Sequence, residues 1–307
     1  MKVVLAGASG AIGTPLIRQL TAAGHDVVGI TRTPAKAARL RELGAEAVVA
    51  DVMDRDALLR SLSGVRADAV LHELTALSKM PVRHSGMAAT NALRERGSAH
   101  LVEAAALVGA ERFVTQSIVF GYGYGDHGGR LVTEDDPFGV PERGPTGPHV
   151  AAMRSAEEQA FAIGGVALRY GLFYGPGEPT RALVDMLRKR LLPVVSGGGG
   201  LGNWIELDDA AAATVAALEK GRPGTAYNVV DGTPVSWGDF LDEMARLIGA
   251  ARPRRLPGWL VKLASPYAHS AMTSSMRVSN ARAAAELGWS PRYPSYREGL
   301  RRVAASG

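Results

Sequence analysis

A glycine-rich turn near the start of the chain restricts its fold more than any other feature of the sequence. Residues 2–6 form an apolar run that predicts a strand, residues 12–23 predict a helix, and Gly7-Ala-Ser-Gly-Ala-Ile-Gly13 joins the two. Glycines here allow a tight bend, close approach of a diphosphate and close packing of helix on strand, and the helix N-terminus attracts anions. The turn therefore predicts a dinucleotide site whose first contacts are Gly7, Ser9, Gly10, Ala11, Ile12 and Gly13.

Strand and helix signals alternate through the first half of the chain. Further strands are predicted at residues 26–31, 47–50, 69–72, 112–115 and 166–169, and helices at 34–43, 54–61, 91–108 and 149–163. Beyond residue 170 the pattern loosens, with helices predicted at 181–190, 210–220 and 237–248 and a strand at 226–230. This alternation is typical of an α/β fold in which a doubly wound parallel sheet of the Rossmann type carries crossover helices.

Composition excludes several kinds of site. The chain of 307 residues has no cysteine, so it forms no disulfide and no cysteine-ligated metal site, and its 7 histidines show no paired helical spacing. No apolar run reaches about 18 residues and no signal-peptide pattern follows Met1, so we expect a cytoplasmic protein without a membrane partner. Arginines crowd residues 252–302, where the only acids are Glu286 and Glu298, but no recognition motif accompanies them, so we expect no nucleic-acid partner.

The residues at the end of the second predicted strand help to distinguish a site for NAD(H) from a site for NADP(H). An enzyme that prefers NAD(H) usually places an acid there to hold the adenosine 2′-hydroxyl, whereas this chain has Thr31 and Arg32. Arg32 is suited to pair with a 2′-phosphate, with Ser9 and Lys36 as further donors, so the sequence favours NADP(H) over NAD(H). The alternative is that Arg32 is a solvated surface side chain.

Several further motifs occur in a fixed order along nearly the whole chain. They are Asp51-Val52, the segment 70–75 that ends in Leu74 and Thr75, Asn91, Gln116 in a serine-containing segment, the acidic segment 133–137, the segment 204–209 and the segment 287–291. In this order they resemble the extended short-chain dehydrogenase/reductase family, the group that contains sugar-nucleotide epimerases and dehydratases. The resemblance implies that the cofactor is contacted by Asp51, Val52, Leu74, Thr75, Asn91 and Gln116.

The resemblance also implies an architecture and an oligomeric state. We expect a cofactor-binding Rossmann domain over residues 1–170, joined by about 203–233, and a smaller C-terminal substrate subdomain built from 171–202 and 234–307. Members of the family pair through two helices of the Rossmann domain. The alanine-rich face of residues 99–106 suits close helix packing, so we expect a homodimer.

The residues that the resemblance implies for catalysis are altered in this chain. Hydride chemistry in the family needs a tyrosine acid/base, a lysine four residues later and a hydroxyl that orients the carbonyl. The alignment puts His149 at the tyrosine, Met153 at the lysine and Ile118 where the hydroxyl usually stands, with Ser117 directly before it. Methionine performs neither task of the lysine, so the family reaction does not transfer to this chain unchanged.

Three functions are therefore open. The favoured one is an NADP(H)-dependent oxidoreductase acting on a carbonyl or alcohol of a small molecule, with His149 as the acid and Ser117 or Gln116 orienting the carbonyl. The second is a non-redox isomerase, lyase or cyclase, which would use Tyr124 and other titratable side chains of a glycine-flexible loop at residues 121–129. The third is a sensor that binds the cofactor without catalysis.

Overall fold

The computed structural model describes residues 1–77 and 80–305, with the backbone alone at residues 178 and 179. Its strands are β1 Lys2–Ala6, β2 Asp26–Thr31, β3 Glu46–Val49, β4 Ala69–His72, β5 Arg112–Ile118, β6 Asp126–Val132, β7 Val166–Tyr170, β8 Leu172–Tyr174, β9 Val194–Val195, β10 Leu201–Gly202, β11 Trp204–Glu206, β12 Ala226–Val229, β13 Val235–Ser236, β14 Arg255–Leu256 and β15 Ser275–Val278. Its α-helices are α1 Gly13–Ala22, α2 Pro34–Glu42, α3 Arg55–Ser61, α4 Ala88–Ala92, α5 Ser98–Val108, α6 Gly147–Ala162, α7 Glu178–Arg188, α8 Leu207–Lys220, α9 Trp237–Leu247, α10 Gly258–Ala264, α11 Pro266–Thr273 and α12 Tyr296–Ala305.

Seven strands form one parallel sheet in the order β12-β7-β5-β4-β1-β2-β3. In its register Val3 faces Val27 of β2 on one side and Ala69 of β4 on the other. The strand order reverses between β1 and β4, and doubly wound sheets bind ligands outside the carboxyl ends of their strands at such a point. The predicted α/β fold of the Rossmann type is confirmed.

Both faces of this sheet are buried, because successive side chains of a strand point to opposite sides. In β1, Val3 and Leu5 join an apolar cluster with α1 and α8, whereas Val4 and Ala6 join a second cluster with α3 and α5. A third cluster contains Met153 of α6 and packs α7, α9 and α12 together. Within the described parts of the chain, no helix combines the length and the apolar character needed to cross a membrane.

The structure corrects two local expectations. The single helix expected over residues 91–108 is instead α4, a π-helical turn at Leu93–Gly97 and α5. The segment 121–129, expected to be a flexible loop, contains the end of the 3-10 turn Val119–Tyr122 and the start of β6, which pairs in parallel with β15. Glycines hid this strand, because glycine is depleted in strands and the pairing partner is distant in sequence. The other predicted elements are present, with ends that differ by a few residues.

The arginines of the C-terminal region are partly neutralised by acids from elsewhere in the chain. Arg302 contacts Glu206 at 3.0 Å, Arg282 contacts Asp135 at 2.5 Å, and the Arg255 guanidinium lies 2.8 Å from Asp242. These ion pairs join the C-terminal segment to the preceding elements. Much of the basic charge seen in the sequence therefore has a structural use.

Candidate functional site

A cleft of about 1480 Å³ opens at the carboxyl ends of β1, β2 and β4 and extends towards α7, α9 and α11. Ordinary small-molecule pockets measure about 300–1,000 Å³, so this cleft has room for a dinucleotide together with a second small molecule. Most of the residues predicted from the sequence line it: Gly7, Ser9, Gly10, Ala11, Ile12, Thr31, Arg32, Lys36, Asp51, Val52, Leu74, Thr75, Gln116 and Ser117. Four others, Gly13, Asn91, Tyr124 and His149, do not form its surface.

The glycine turn has the geometry of a phosphate-binding turn. Gly7 has a φ of 96°, and a Cβ added to it would lie 2.4 Å from the carbonyl oxygen of Glu73. A Cβ on Gly13 would lie 2.2 Å from the carbonyl oxygen of Ala8, so a glycine at this position lets α1 begin close against the turn that precedes it. Helix α1 has no side-chain cap and no acid in its first turn, so its N-terminal N–H groups are available to an anion.

Cations collect where the adenosine ribose of a dinucleotide would lie. Arg32 and Lys36 line this end of the cleft, together with Arg18 and Arg39. Ser9 Oγ lies 3.5 Å from Thr31 Oγ1, which brings the turn and the end of β2 together. In the part of the chain that the structure describes, no carboxylate forms an ion pair with Arg32 or Lys36. These residues fit a 2′-phosphate, whose charge they would balance.

Three other predicted cofactor residues have identifiable structural partners. Asp51 Oδ1 accepts a hydrogen bond from the Met53 N–H at 2.9 Å, which fixes the turn after β3. Gln116 donates to the carbonyl oxygen of Leu74 and so joins β5 to the segment after β4. The Asn91 amide lies 3.0 Å from a ring nitrogen of His149, so the structure places Asn91 behind the cleft and not on its surface.

His149 is enclosed by a chain of hydrogen bonds. Its Nδ1 faces Asn91 Nδ2 at 3.0 Å and its Nε2 faces His84 Nδ1 at 3.1 Å, while His84 Nε2 lies 3.4 Å from Ser270 Oγ. One set of tautomers satisfies all three hydrogen bonds. The Asn91 amide donates to Nδ1 of His149, Nε2 of His149 donates to Nδ1 of His84, and Nε2 of His84 donates to the Ser270 hydroxyl. Burial, followed by the charges of His84 and Arg94, lowers the pKa of His149 to about 4. The ring is therefore neutral at neutral pH and is a weak proton donor.

The other positions implied in catalysis differ in their access to the cleft. Met153 is fully buried in the third apolar cluster and does not line the cleft. Ser117 lines the cleft, and its buried hydroxyl has no hydrogen-bond partner in the described part of the chain. Tyr124 stacks on Phe120 with ring centroids 4.8 Å apart, lies 6.3 Å from the His149 ring, and also has an unpartnered hydroxyl. Burial raises the pKa of the Tyr124 hydroxyl, which is therefore protonated.

Two buried charged residues of the cleft were missed by the sequence analysis. Glu73 follows β4 directly; its Oε1 accepts from the Tyr170 hydroxyl at 3.0 Å, its Oε2 has no partner, and burial raises its pKa to about 8. Arg94, in the π-helical turn, is only 4% exposed, and its Nε and Nη1 have no hydrogen-bond partner. Helical spacing offered a signal, because residues 87, 90, 91, 94, 97, 98 and 101 form one buried stripe in which Arg94 is the only charge.

Comparisons with known proteins point to one family. The model described as the NAD dependent epimerase/dehydratase family matches residues 3–230. The chain is 37% identical to a 3-diazoavenalumate denitrifying reductase from a Streptomyces species, over 98% of this chain and 100% of that protein. It is 26% identical to a 2-alkyl-3-oxoalkanoate reductase from Stenotrophomonas maltophilia, over 82% of this chain and 77% of that protein.

Solved structures share the fold. A human epimerase family protein crystallised with NADPH superposes with a TM-score of 0.81 at 20% identity, over 99% of both chains. A UDP-glucose 4-epimerase from Thermotoga maritima has a TM-score of 0.80 at 19% identity, over 100% of this chain and 98% of that one. The resemblance identified from the sequence motifs is confirmed by these findings.

Proposed function

The chain belongs to the NAD-dependent epimerase/dehydratase family of extended short-chain dehydrogenases/reductases, and on that premise we propose that it is an NADP(H)-dependent reductase of a small molecule. Its relatives include reductases as well as epimerases and dehydratases. The observation that carries the proposal is a complete dinucleotide cleft combined with an altered acid/base pair. NADPH, when bound, would supply a hydride.

The cofactor preference rests on charge at the end of β2. Arg32 and Lys36, which form no ion pair with the described residues, lie where an NAD(H)-binding protein usually has an acid, and Ser9 is an additional donor. A bidentate arginine–phosphate contact is a strong, charge-assisted interaction of about 1.5–3 kcal/mol. Arg32→Ala should therefore weaken NADPH binding about 10- to 100-fold and leave NADH binding unchanged.

Fluorescence titration of both cofactors tests this preference. Arg41→Ala is the matched control, because Arg41 is an exposed arginine on α2 that does not line the cleft. Equal affinity of the wild-type protein for NADH and NADPH would reject the proposed preference.

The altered acid/base pair limits which hydride acceptors suit the cleft. His149 is neutral and hydrogen-bonded on both ring nitrogens, and Met153 lies in the apolar core, so this pair offers no ready proton to a nascent alkoxide. An acceptor that needs a hydride but no proton from the protein suits such a site. Reduction of an arenediazonium group has this character: hydride is added, the carbon–nitrogen bond breaks, dinitrogen leaves, and charge balances without a proton.

We therefore propose a diazo-bearing carboxylate as the first candidate substrate. The name of the relative at 37% identity, a denitrifying reductase of a diazo carboxylate, supports this choice. Carbonyl reduction is the second candidate, because the Ser117 hydroxyl is unpartnered at the cleft and two further relatives are named as an oxoalkanoate reductase and a ketoreductase. A carbonyl acceptor would then take its proton from water in the cleft, because both ring nitrogens of His149 are occupied and His149 does not line the cleft.

One experiment separates these candidates. The protein is mixed with NADPH carrying deuterium at the transferable position and with para-carboxybenzenediazonium, acetoacetate, aryl ketones or a sugar nucleotide, and oxidation is followed at the nicotinamide absorption band. The diazonium reaction should release dinitrogen, place deuterium on the ring carbon and show no solvent isotope effect in D₂O. A solvent isotope effect with turnover of only carbonyl substrates would favour the second candidate.

The remaining hypotheses are outcomes of the same assay. If no acceptor oxidises NADPH above a protein-free control, the proposed reductase function is wrong. Substrate conversion without net NADPH oxidation would indicate a non-redox enzyme, for which Tyr124, with its buried hydroxyl, is the candidate acid. Cofactor binding without any conversion would indicate a sensor.

A further inference from the structure

A buried arginine faces the substrate end of the cleft without a counter-charge. Arg94 belongs to the π-helical turn between α4 and α5, is 4% exposed and lines the cleft. Its Nε and Nη1 are buried and lack hydrogen-bond partners. π-Helical turns inside α-helices occur frequently at functional sites, and a charged group this buried is normally paired.

The surroundings of Arg94 supply hydroxyls and rings but no carboxylate. The polar groups beside it are the hydroxyls of Tyr124 and Tyr267. Burial, with a smaller contribution from the charge of Arg94, lowers the pKa values of His72 and His149. Among the residues whose side chains the structure describes (1–77, 80–177 and 180–305), no acid forms an ion pair with it. A buried cation left in this state destabilises the fold, and a bound anion would offset that cost.

We infer that Arg94 binds the carboxylate of the substrate. This inference rests on the proposed function, in that it takes this end of the cleft as the substrate site. The planar guanidinium matches a carboxylate with two parallel hydrogen bonds. The tyrosine hydroxyls beside it are able to donate to the same group, as both are protonated.

The side chains that line the cleft indicate the nature of the rest of the substrate molecule. Apolar and aromatic side chains outside the glycine turn line the same cleft: Met80, Ile118, Phe120, Leu183 and Tyr267, of which Tyr267 lies beside Arg94. Such side chains suit the aryl or alkyl part of a ligand and offer few hydrogen-bond partners to the hydroxyls of a sugar. Arg94 therefore selects a small apolar carboxylate, in contrast to the nucleotide-linked sugars named for several structural relatives.

Arg94 is also distinct from the cations that face the cofactor phosphates. The dinucleotide phosphates would lie at the glycine turn and α1, and the adenosine end at Arg32. Arg94 instead lies near Tyr124, Tyr267 of α11 and His149 of α6. Its loss should therefore leave NADPH affinity unchanged.

Isothermal titration calorimetry on the protein saturated with NADP⁺ tests this assignment without requiring turnover. The probes are cinnamate, benzoate and hexanoate, with cinnamamide as the uncharged twin of cinnamate. Wild type should bind cinnamate at least about 10-fold more tightly than cinnamamide, and Arg94→Met should weaken cinnamate binding about 10- to 100-fold. Arg94→Lys should retain part of the affinity, and Arg41→Met, on the exposed face of α2, should retain all of it.

Thermal melting of the ligand-free protein distinguishes a binding role from a structural one. Because the buried Nε and Nη1 of Arg94 have no hydrogen-bond partner among the described residues, Arg94→Met should melt at or above the wild-type temperature. A melting temperature several degrees lower, a loss of NADPH affinity in this variant, equal binding of cinnamate and cinnamamide, or no binding of any of the three carboxylates would each overturn the assignment. None of these readouts depends on hydride transfer, so failure of the proposed reductase function would be recognised separately.

Discussion

Replacing Glu157 with glutamine should destabilise the fold through the arginine that it holds. Glu157 on α6 accepts from Arg169 of β7 through three contacts: Nε to Oε1 at 3.0 Å, Nε to Oε2 at 3.2 Å and Nη2 to Oε2 at 2.8 Å. The two side chains are only 3% and 6% exposed. Glutamine keeps the volume of the side chain but removes the charge that balances the guanidinium.

The cost follows from the burial of the pair. Removing one partner of a buried ion pair costs about 3–5 kcal/mol, because the remaining charge stays in a medium that solvates it poorly. In the variant Arg169 keeps two other contacts: a hydrogen bond from Nη1 to the Tyr122 hydroxyl at 2.9 Å, and the Phe138 ring, whose centroid lies 3.8 Å from the guanidinium carbon. We therefore expect a loss of stability at the lower end of this range. About 3 kcal/mol corresponds to a fall in melting temperature of roughly 5–10 °C for a chain of this size.

Chemical and thermal unfolding of a small set of variants measures this effect. Glu158→Gln is the matched control, because it neighbours Glu157 on α6 but is exposed and lies 3.6 Å from Arg154, a surface pair worth about 0–1 kcal/mol. Adding Arg169→Met to Glu157→Gln should recover part of the loss, since the uncompensated charge is then gone. If Glu157→Gln and Glu158→Gln unfold with the same free energy, the argument from burial is refuted.

Three further substitutions test two residues of the cleft, Gly7 and Glu73, and one residue of the third apolar cluster, Met153. Gly7→Ala should add about 1–3 kcal/mol of strain and weaken NADPH binding in a titration, because φ is 96° and the new Cβ would meet the Glu73 carbonyl oxygen at 2.4 Å. Glu73→Gln should make the melting temperature depend less on pH. Burial raises the pKa of Glu73 from 4.5 to about 8 in the folded protein, so the wild type loses stability as the pH rises between these two values. An unchanged dependence of melting temperature on pH in the variant would contradict this. Met153→Lys should cost about 3 kcal/mol or more in unfolding experiments without raising NADPH turnover, because the new charge would enter an apolar cluster; a gain in turnover would contradict this.

The parts of the molecule that could be predicted from the sequence are those fixed by local patterns. Alternation of β-branched and alanine-rich segments predicted the central sheet, and the glycine turn predicted which residues line the cofactor end of the cleft. The pairing of β6 with β15 was missed, because it joins glycine-rich and distant segments for which no local pattern exists. The expected homodimer and the domain boundaries stay predictions, and a gel-filtration mass would check the first.

The substrate end of the cleft was harder to predict, because the sequence does not show which acid, if any, pairs with a buried arginine. Arg94 and Arg169 both fall at buried positions of regular elements, and the sequence alone gives no reason to treat them differently. Only the packed fold shows that Arg169 meets Glu157 whereas Arg94 meets two tyrosines and an open cleft. Buried charges are tolerated when something compensates them, so the two arginines predict opposite stability effects: losing the partner of Arg169 should destabilise the protein, whereas neutralising Arg94 should not. If both outcomes are observed, the missing partner of Arg94 is supplied from outside the chain, which is what a substrate carboxylate would do.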